Sequence, residues 1–539
     1  MLFASYPFIG FLLLLVPLYY LLPRITKGRV PCLQWAILLG ASYIFYWYAD
    51  PKYLVFILFT TLTSYAAAIW MDREFAAEEA HIAAHASEMT KEERKAYRAA
   101  RKLVRRRILT CALVLNFGVL AVLKYTGFAV RGVNGVLFLF GADGFTVPSL
   151  LLPMGISFYT FQTMGYLIDV YWKKTTAERS LPRLMLFVSY FPQLIQGPIS
   201  RHSDLARELY VPHAFSAENV YLGLQRVLYG FCKKLIIADR VLVAMKTMLA
   251  RPTDYTGAYV FFMILLYSVQ IYADFTGGID ITIGVSQMLG IKLKENFRRP
   301  FSSRSTEEYW KRWHITMGTW FQDYIFYPIA VSSPMLKLSR KAKERFGNGV
   351  GRRISVYTCT VATWFLTGLW HGAGLNFIVW GLLNCAVLLI SQELKPLYER
   401  FRKRFPRLTA SRGYAVFMMT RTFLLMGAIR IFDCYRDVLL TFRMLWSMFS
   451  TPNLSSFLAG VSRLGLSAFD FVVIGVGILT MYAVSKIGGD ADSEQSVRRR
   501  LLSRPWLSCT VTGAMLLLVL LLGMYGPGYD ASQFIYGQF

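Results

Sequence analysis

Apolar residues in this chain come in long runs, not in alternation. Runs at residues 4–22, 33–49, 53–70, 108–125, 257–273, 354–371, 374–392, 414–432, 468–487 and 508–525 approach or reach the roughly 20 residues that cross a bilayer. In hydrocarbon every backbone polar group needs a partner within the chain, so runs of this length are helices. The period-two alternation of a membrane β-barrel is absent. The pattern predicts an all-α polytopic membrane protein with roughly 10–12 spans. The first run, Phe8 to Leu22, has no basic region before it and reads as a retained helix, not a cleaved signal.

The polar interruptions add detail. Residues 72–107 run acidic and then basic, and Thr90 with Glu93 makes a capping box. This reads as a charged helical insert on the cytoplasmic side. His81 and His85 lie four apart in it, a metal-compatible spacing, but without further ligands they read as part of a solvated face. Residues 126–147 are Gly-rich and suggest a loop or a shallow helix. Pro153 and Gly155 interrupt a run that carries Ser157, Thr160, Gln162 and Asp169. Pro192 and Pro198 make 191–201 a re-entrant segment, tolerable only where protein or water covers it. Residues 218–248 are amphipathic, with Arg226, Lys233, Lys234, Asp239 and Arg240, and suggest an in-plane helix followed by a span.

Lys292 to Arg312 is basic and too polar to cross lipid unaided. Ser305 with Glu308 marks a helix start. Continued through residues 309–317, that helix places His314 on one face with Trp310, Met317 and Phe321.

Charge sits between the apolar runs. The chain is 55% hydrophobic and 17% charged, with 59 Lys plus Arg against 32 Asp plus Glu, a formal +27. In a soluble protein such a surplus would suggest nucleic acid. Here the positive-inside rule and anionic lipid account for most of it, and no nucleic-acid partner is expected. A share remains for an anionic cytoplasmic donor. The basic turn at 24–29 and the cluster at 498–500 place both termini outside. The seven cysteines include no metal-spaced pair and read mostly as small buried hydrophobes.

One histidine lies deep in an apolar run. His371, in Trp364 to Phe377, follows Arg352-Arg353 by ~27 Å of helix, close to a bilayer's depth. An ionisable group there is costly unless it is paired or lines a water-filled cavity. Imidazole can take and return a proton near neutral pH. Gly368, Gly372 and Gly374 would let a substrate or another helix approach. The residues alone allow both a catalytic base and a histidine bonded to a neighbouring helix. Taken alone, His314 reads as a buried histidine satisfied by a backbone carbonyl.

Together, the two histidines and the segments around them resemble the membrane-bound O-acyltransferase (MBOAT) family, bacterial alginate O-acetyltransferase branch. The segments are Pro153 to Gln162, Gln196 to Ile199, Asn296 to Phe301, Tyr309 to Thr316, Phe321 to Pro328, Trp364 to Trp380 and the ending Phe534 to Phe539. The resemblance implies an MBOAT fold of transmembrane, re-entrant and in-plane helices around a central tunnel. It implies one membrane domain over residues 1–539 with a C-terminal transmembrane extension at 393–539, and a bacterial cytoplasmic membrane location. It maps the catalytic histidine to His371 and the second family histidine to His314. Trp310, Arg312, Asp323, Tyr324, Trp370, Asn376 and Gln162 are expected at the substrate.

The donor implied is acetyl-CoA, with no permanently bound cofactor and no metal. Charge suggests Arg298, Arg299, Lys311 and Arg312 for its phosphates. The acceptor implied is a polysaccharide, alginate- or cellulose-like, served with an extracellular or periplasmic SGNH-type partner. One alternative is D-alanyl transfer from an acidic carrier protein to teichoic acid. Another is a transporter or flippase without chemistry.

Overall fold

The computed structural model describes residues 2–25, 33–487, 501–525 and 529. Among them the chain is helical without strands, and one isolated antiparallel bridge joins Phe297 and Trp313. Among the described residues eight helices are long and apolar enough to cross a membrane: Tyr6–Ile25, Tyr53–Ala84, Lys91–Leu139, Ala258–Met288, Leu375–Glu393, Arg412–Tyr435, Ala468–Ile487 and Pro505–Leu522. Other expected spans are present as the 17-residue helix Leu33–Ala49, the 16-residue helix Ile156–Tyr171 and the second half of Ser333–His371. The chain is a multi-pass membrane protein. Most of the basic turn at 24–29, the cluster at 498–500 and the ending 534–539 lie outside the described residues.

The described chain divides into two compact units. The first is Met1–Val220 with Val285–Leu293. In it the charged insert is the tip of a hairpin between two long helices, Tyr53–Ala84 and Lys91–Leu139. The hairpin persists beyond lipid length because Glu74 pairs with Arg101 at 2.9 Å and Glu78 with Arg105 at 2.5 Å. Thr90 and Glu93 form the expected capping box. His81 packs between His85 and Tyr97, with ring centroids 4.4 and 4.3 Å away. Of the stretch 126–147, expected as a loop or a shallow helix, the first part continues this helix to Leu139 and the rest is irregular.

Ile156–Tyr171 starts at Gly155, whose φ of 75° and close approach to the Leu194 carbonyl exclude a side chain. The proline-broken segment forms a short helix, Phe191–Leu194, and residues 190–200 are all buried in protein, as the membrane argument requires.

The second unit is Tyr221–Gly284 with Lys294–Phe539. Its run at 257–273 was expected to end at Asp274, but the helix continues to Met288 with Asp274 and Asp280 buried inside it. Cations neutralise both. Lys234 bonds Asp274 at 2.6 Å and Asp239 at 2.7 Å. Arg226 bonds Asp280 at 2.9 Å and Glu295 at 2.6 Å, and Lys233 also pairs with Asp280. These cations come from Ala217–Phe231 and the π-helical turn Cys232–Ala238 that follows it. Buried charge is strongly unfavourable alone and tolerable when paired, so an acid that looks like a span's end can lie within it. Of the cysteines, Cys359 and Cys385 are buried, whereas Cys111 and Cys509 are exposed.

Candidate active site

The second unit builds the site from a helical hairpin, Ser333–His371 and Leu375–Glu393. Gly347 breaks the first helix (φ 81°), so its apolar half starts near the basic run and ends at His371. A Cβ on Gly368 would strike the Phe377 carbonyl, and one on Gly381 would strike the Trp364 carbonyl. These glycines therefore let two backbones touch. Replacing Gly381 with valine is expected to cost about 1–3 kcal/mol by overpacking, read as a lowered melting temperature in detergent.

His371 is half-buried at the hairpin's turn. Its ring lies 4.5 Å from Trp380 and 4.9 Å from Trp370, edge-on to each. Trp380 belongs to a core with Ile429 and Phe432, and Trp310 and Trp364 pack against it. Large rigid indoles thus fix where the imidazole stands.

His314 departs from the expected helical face. The helix Thr306–Arg312 ends before it, Trp313 is extended, His314 takes a left-handed φ of 49°, and a new helix runs Ile315–Phe321. The cause is pairing with residues 296–298. Arg298 N donates to Arg312 O at 2.9 Å and Ile315 N to Asn296 O at 3.0 Å, around the Phe297–Trp313 bridge. The resulting His314 is fully buried, 4.9 Å from Phe275 and 5.8 Å from Trp370. Trp370 therefore touches both histidines.

Asn296 sets the chemistry of His314. Its Oδ1 accepts from the Thr316 backbone N–H at 3.1 Å and the Thr316 hydroxyl at 2.9 Å. A backbone donor identifies that atom as the oxygen, which can only accept. The same Oδ1 lies 3.3 Å from His314 Nδ1, so Nδ1 carries the hydrogen and Nε2 the lone pair. The Asn296–Phe321 segment lies outside the spanning helices. Burial first, and then the charge of Arg430, push the His314 pKa down to about 3, so the ring is neutral.

The other expected site residues divide. Trp310 and Trp370 belong to the aromatic wall. Arg312 pairs with Glu308 at 2.8 Å. Asn376 spends its amide on the Phe432 carbonyl at 3.1 Å, tying the hairpin to Arg412–Tyr435. Asp323 and Tyr324 lie on a π-helical turn, Gln322–Phe326, with Tyr324 packed on Trp320 at 5.2 Å. Gln162 belongs to the first unit, where it bonds the Phe187 carbonyl and Gln193, each at 2.7 Å. Sequence reasoning missed Asn296 and Arg430. An arginine near the end of the apolar run 414–432 was the available signal for Arg430.

Two cavities flank this region. One of about 790 Å³ is lined by Arg299, Arg304, Arg312 and Lys486 together with Phe423 and Tyr482. The other, about 450 Å³, is more apolar and reaches Trp310, Trp364, Thr367 and Phe321. Arg299 and Arg312 of the expected donor cluster line the first cavity, and Lys311 lines the second.

Residues 178–343 match the sequence profile of the MBOAT, membrane-bound O-acyltransferase family. The chain is 32% identical to the probable alginate O-acetylase AlgI of Azotobacter vinelandii, over 73% of this chain and 69% of the relative. The chain belongs to the membrane-bound O-acyltransferase family. It is an acyltransferase. It is also 27% identical to the peptidoglycan O-acetyltransferase of Helicobacter pylori, over 73% of this chain and 70% of that one. Similarity to the teichoic acid D-alanyltransferase of Bacillus subtilis is lower, 26% over 51% of this chain and 67% of the relative. Membership in the family makes a transporter or flippase without chemistry an unnecessary reading.

Proposed function

We propose that this acyltransferase takes acetyl from acetyl-CoA at the cytoplasmic face and delivers it to a polysaccharide hydroxyl at the outer face, with an SGNH-type partner there. The observation that carries this reading is the pair of histidines packed on one indole, Trp370, with His371 half-buried at the turn of the hairpin and His314 fully buried beside Asn296. His371 takes the proton of the acceptor hydroxyl as its oxygen attacks the thioester carbonyl. The C–S bond then breaks, and the thiolate recovers that proton as free thiol. His314, with its lone pair on Nε2, holds the incoming hydroxyl as a hydrogen-bond acceptor. The relatives' names support O-acetyl transfer and, for the alginate and peptidoglycan relatives, a polysaccharide acceptor.

The basic cavity suits a donor with several phosphates. Arg299, Arg304, Arg312 and Lys486 supply four cations against the one carboxylate of Glu308, and Phe423 and Tyr482 give rings on which a base can stack. The basic run at 395–412 precedes, along the chain, the lining residues Val416 to Phe423, which supports the cytoplasmic side by the positive-inside rule. Replacing both Arg299 and Arg312 with glutamine is expected to raise KM for acetyl-CoA about tenfold or more, on the scale of one to two charge-assisted bonds, with a smaller change in kcat. Initial-rate kinetics check this. Equal activity with an acidic carrier protein loaded with D-alanine, and none with acetyl-CoA, would favour the teichoic acid reading instead.

A further inference from the structure

Arg430 is buried, 5% exposed, near the end of the Arg412–Tyr435 helix. It lies ~27 Å along that helix from Arg412. A cation buried in protein is costly unless it is paired or hydrogen-bonded, so its partners carry information. It stands beyond residues 178–343, on the segment read from sequence as an extension. Its ring contact and its side-chain hydrogen bond both fall on the segment that leads into His314. Its guanidinium lies 4.1 Å over the Trp313 ring. Its Nη2 donates to the Tyr309 hydroxyl at 2.9 Å. Tyr309 in turn stacks on Trp313 at 5.6 Å and 11°, and Trp313 is bonded to His314.

We propose that Arg430 is a positioning residue for acyl transfer, clamping the Tyr309–Trp313 turn and holding His314 as an Nδ1-protonated ring whose Nε2 receives the acceptor hydroxyl. This rests on the reading of the two histidines as the transfer site. The clamp explains how a non-glycine residue keeps a left-handed backbone at His314. Trp313 is held from one side by Tyr309 and from another by Arg430, and Asn296 grips the residues that follow.

The charge has a separate effect. Around His314 stand Phe275, Phe297 and Trp370, with Asn296 and Thr316 on its edge. The charged or titratable groups of the surrounding elements are Arg430, Asp433 and Arg436 on the Arg412–Tyr435 helix and just after it, Tyr267 on Ala258–Met288, Tyr309 and Arg312 before the turn, and His371 beyond Trp370. Burial raises the Tyr309 pKa, so its phenol stays neutral and does not cancel the Arg430 charge; Asp433, three residues further on, is the carboxyl group within electrostatic reach of it. A fixed cation beside a buried imidazole disfavours a second cation there. Donor and acceptor can then change charge during the reaction without His314 taking a proton.

Nitrogen-15 NMR of the purified full chain, labelled at histidine and without donor or acceptor, tests this apart from activity. His314 is assigned by its loss in His314→Gln. In the wild type it should show the neutral Nδ1–H pattern from pH 8 to pH 5. In Arg430→Gln its midpoint should rise by about 1 pH unit, burial remaining the larger cause of the depression, and the acid limb of kcat should move up with it. Arg430→Lys should restore both. A wild-type His314 that is protonated at pH 7, or that carries its hydrogen on Nε2, overturns the proposal even if no variant folds. So does an Arg430→Gln protein that loses activity equally at every pH with the His314 titration unmoved. Expected NMR spectra from a wild type that transfers no acyl group would overturn the parent reading alone, because Arg430 would then set His314 without a reaction to serve.

Discussion

Replacing His371 with alanine should lower acetyl transfer by roughly 10²–10⁴-fold, the usual worth of a positioned general base. The folded protein should survive. His371 is half-buried at a helix end, Trp380 is held by Ile429, Phe432, Trp310 and Trp364, and Trp370 packs on Phe321 and His314 as well as on the imidazole. The variant should therefore keep its size-exclusion profile and melting temperature in detergent while thiol release from acetyl-CoA in the presence of acceptor falls. Activity within a few-fold of wild type would remove His371 from the reaction. His314→Ala is a poorer test, because a fully buried ring in a left-handed turn also supports the fold.

Replacing Lys234 with methionine should have the largest effect on stability. The ammonium is completely buried between Asp274, also completely buried, and Asp239. Methionine fills similar space but leaves two carboxylates without their cation. Breaking a buried pair from one side costs about 3–5 kcal/mol, a large share of what holds a domain folded. Thermal unfolding in detergent should show a much lowered midpoint or no folded protein. The paired change Lys234→Met with Asp274→Leu should recover part of that loss, since removing both partners removes most of the stranded charge. If the single variant were as stable as wild type, the Asp274 pair would not be what lets Ala258–Met288 continue past an acid.

Those two sites mark where the sequence was legible and where it was not. The apolar runs showed the helices because lipid leaves the backbone no alternative. Thr90 with Glu93 and the prolines near 192 were equally plain, since their effects are local. Asp274 misled because its neutralising partner, Lys234, is remote in sequence. His314 misled for a related reason. The spacing of Trp310, His314, Met317 and Phe321 fits a helix, yet pairing of Trp313 with Phe297 breaks it. The glycines around His371 left two readings open. Gly368 and Gly381 prove to be contacts between helices. Gln162 looked like a site residue from its polarity in an apolar run, but its amide is committed to Gln193 and Phe187. Arg430 was visible as a charge in a span, but only the fold connects it to Tyr309 and Trp313.

The central claim is that one imidazole joins a donor on the cytoplasmic face to an acceptor on the other. Inverted membrane vesicles from cells expressing the protein expose the cytoplasmic face and enclose the outer-face components. Radiolabelled acetyl-CoA added outside should leave alkali-labile label on macromolecules inside, protected from externally added esterase, and the His371→Ala vesicles should lack it. Label that stays accessible from outside, or that enters equally without His371, would contradict the account.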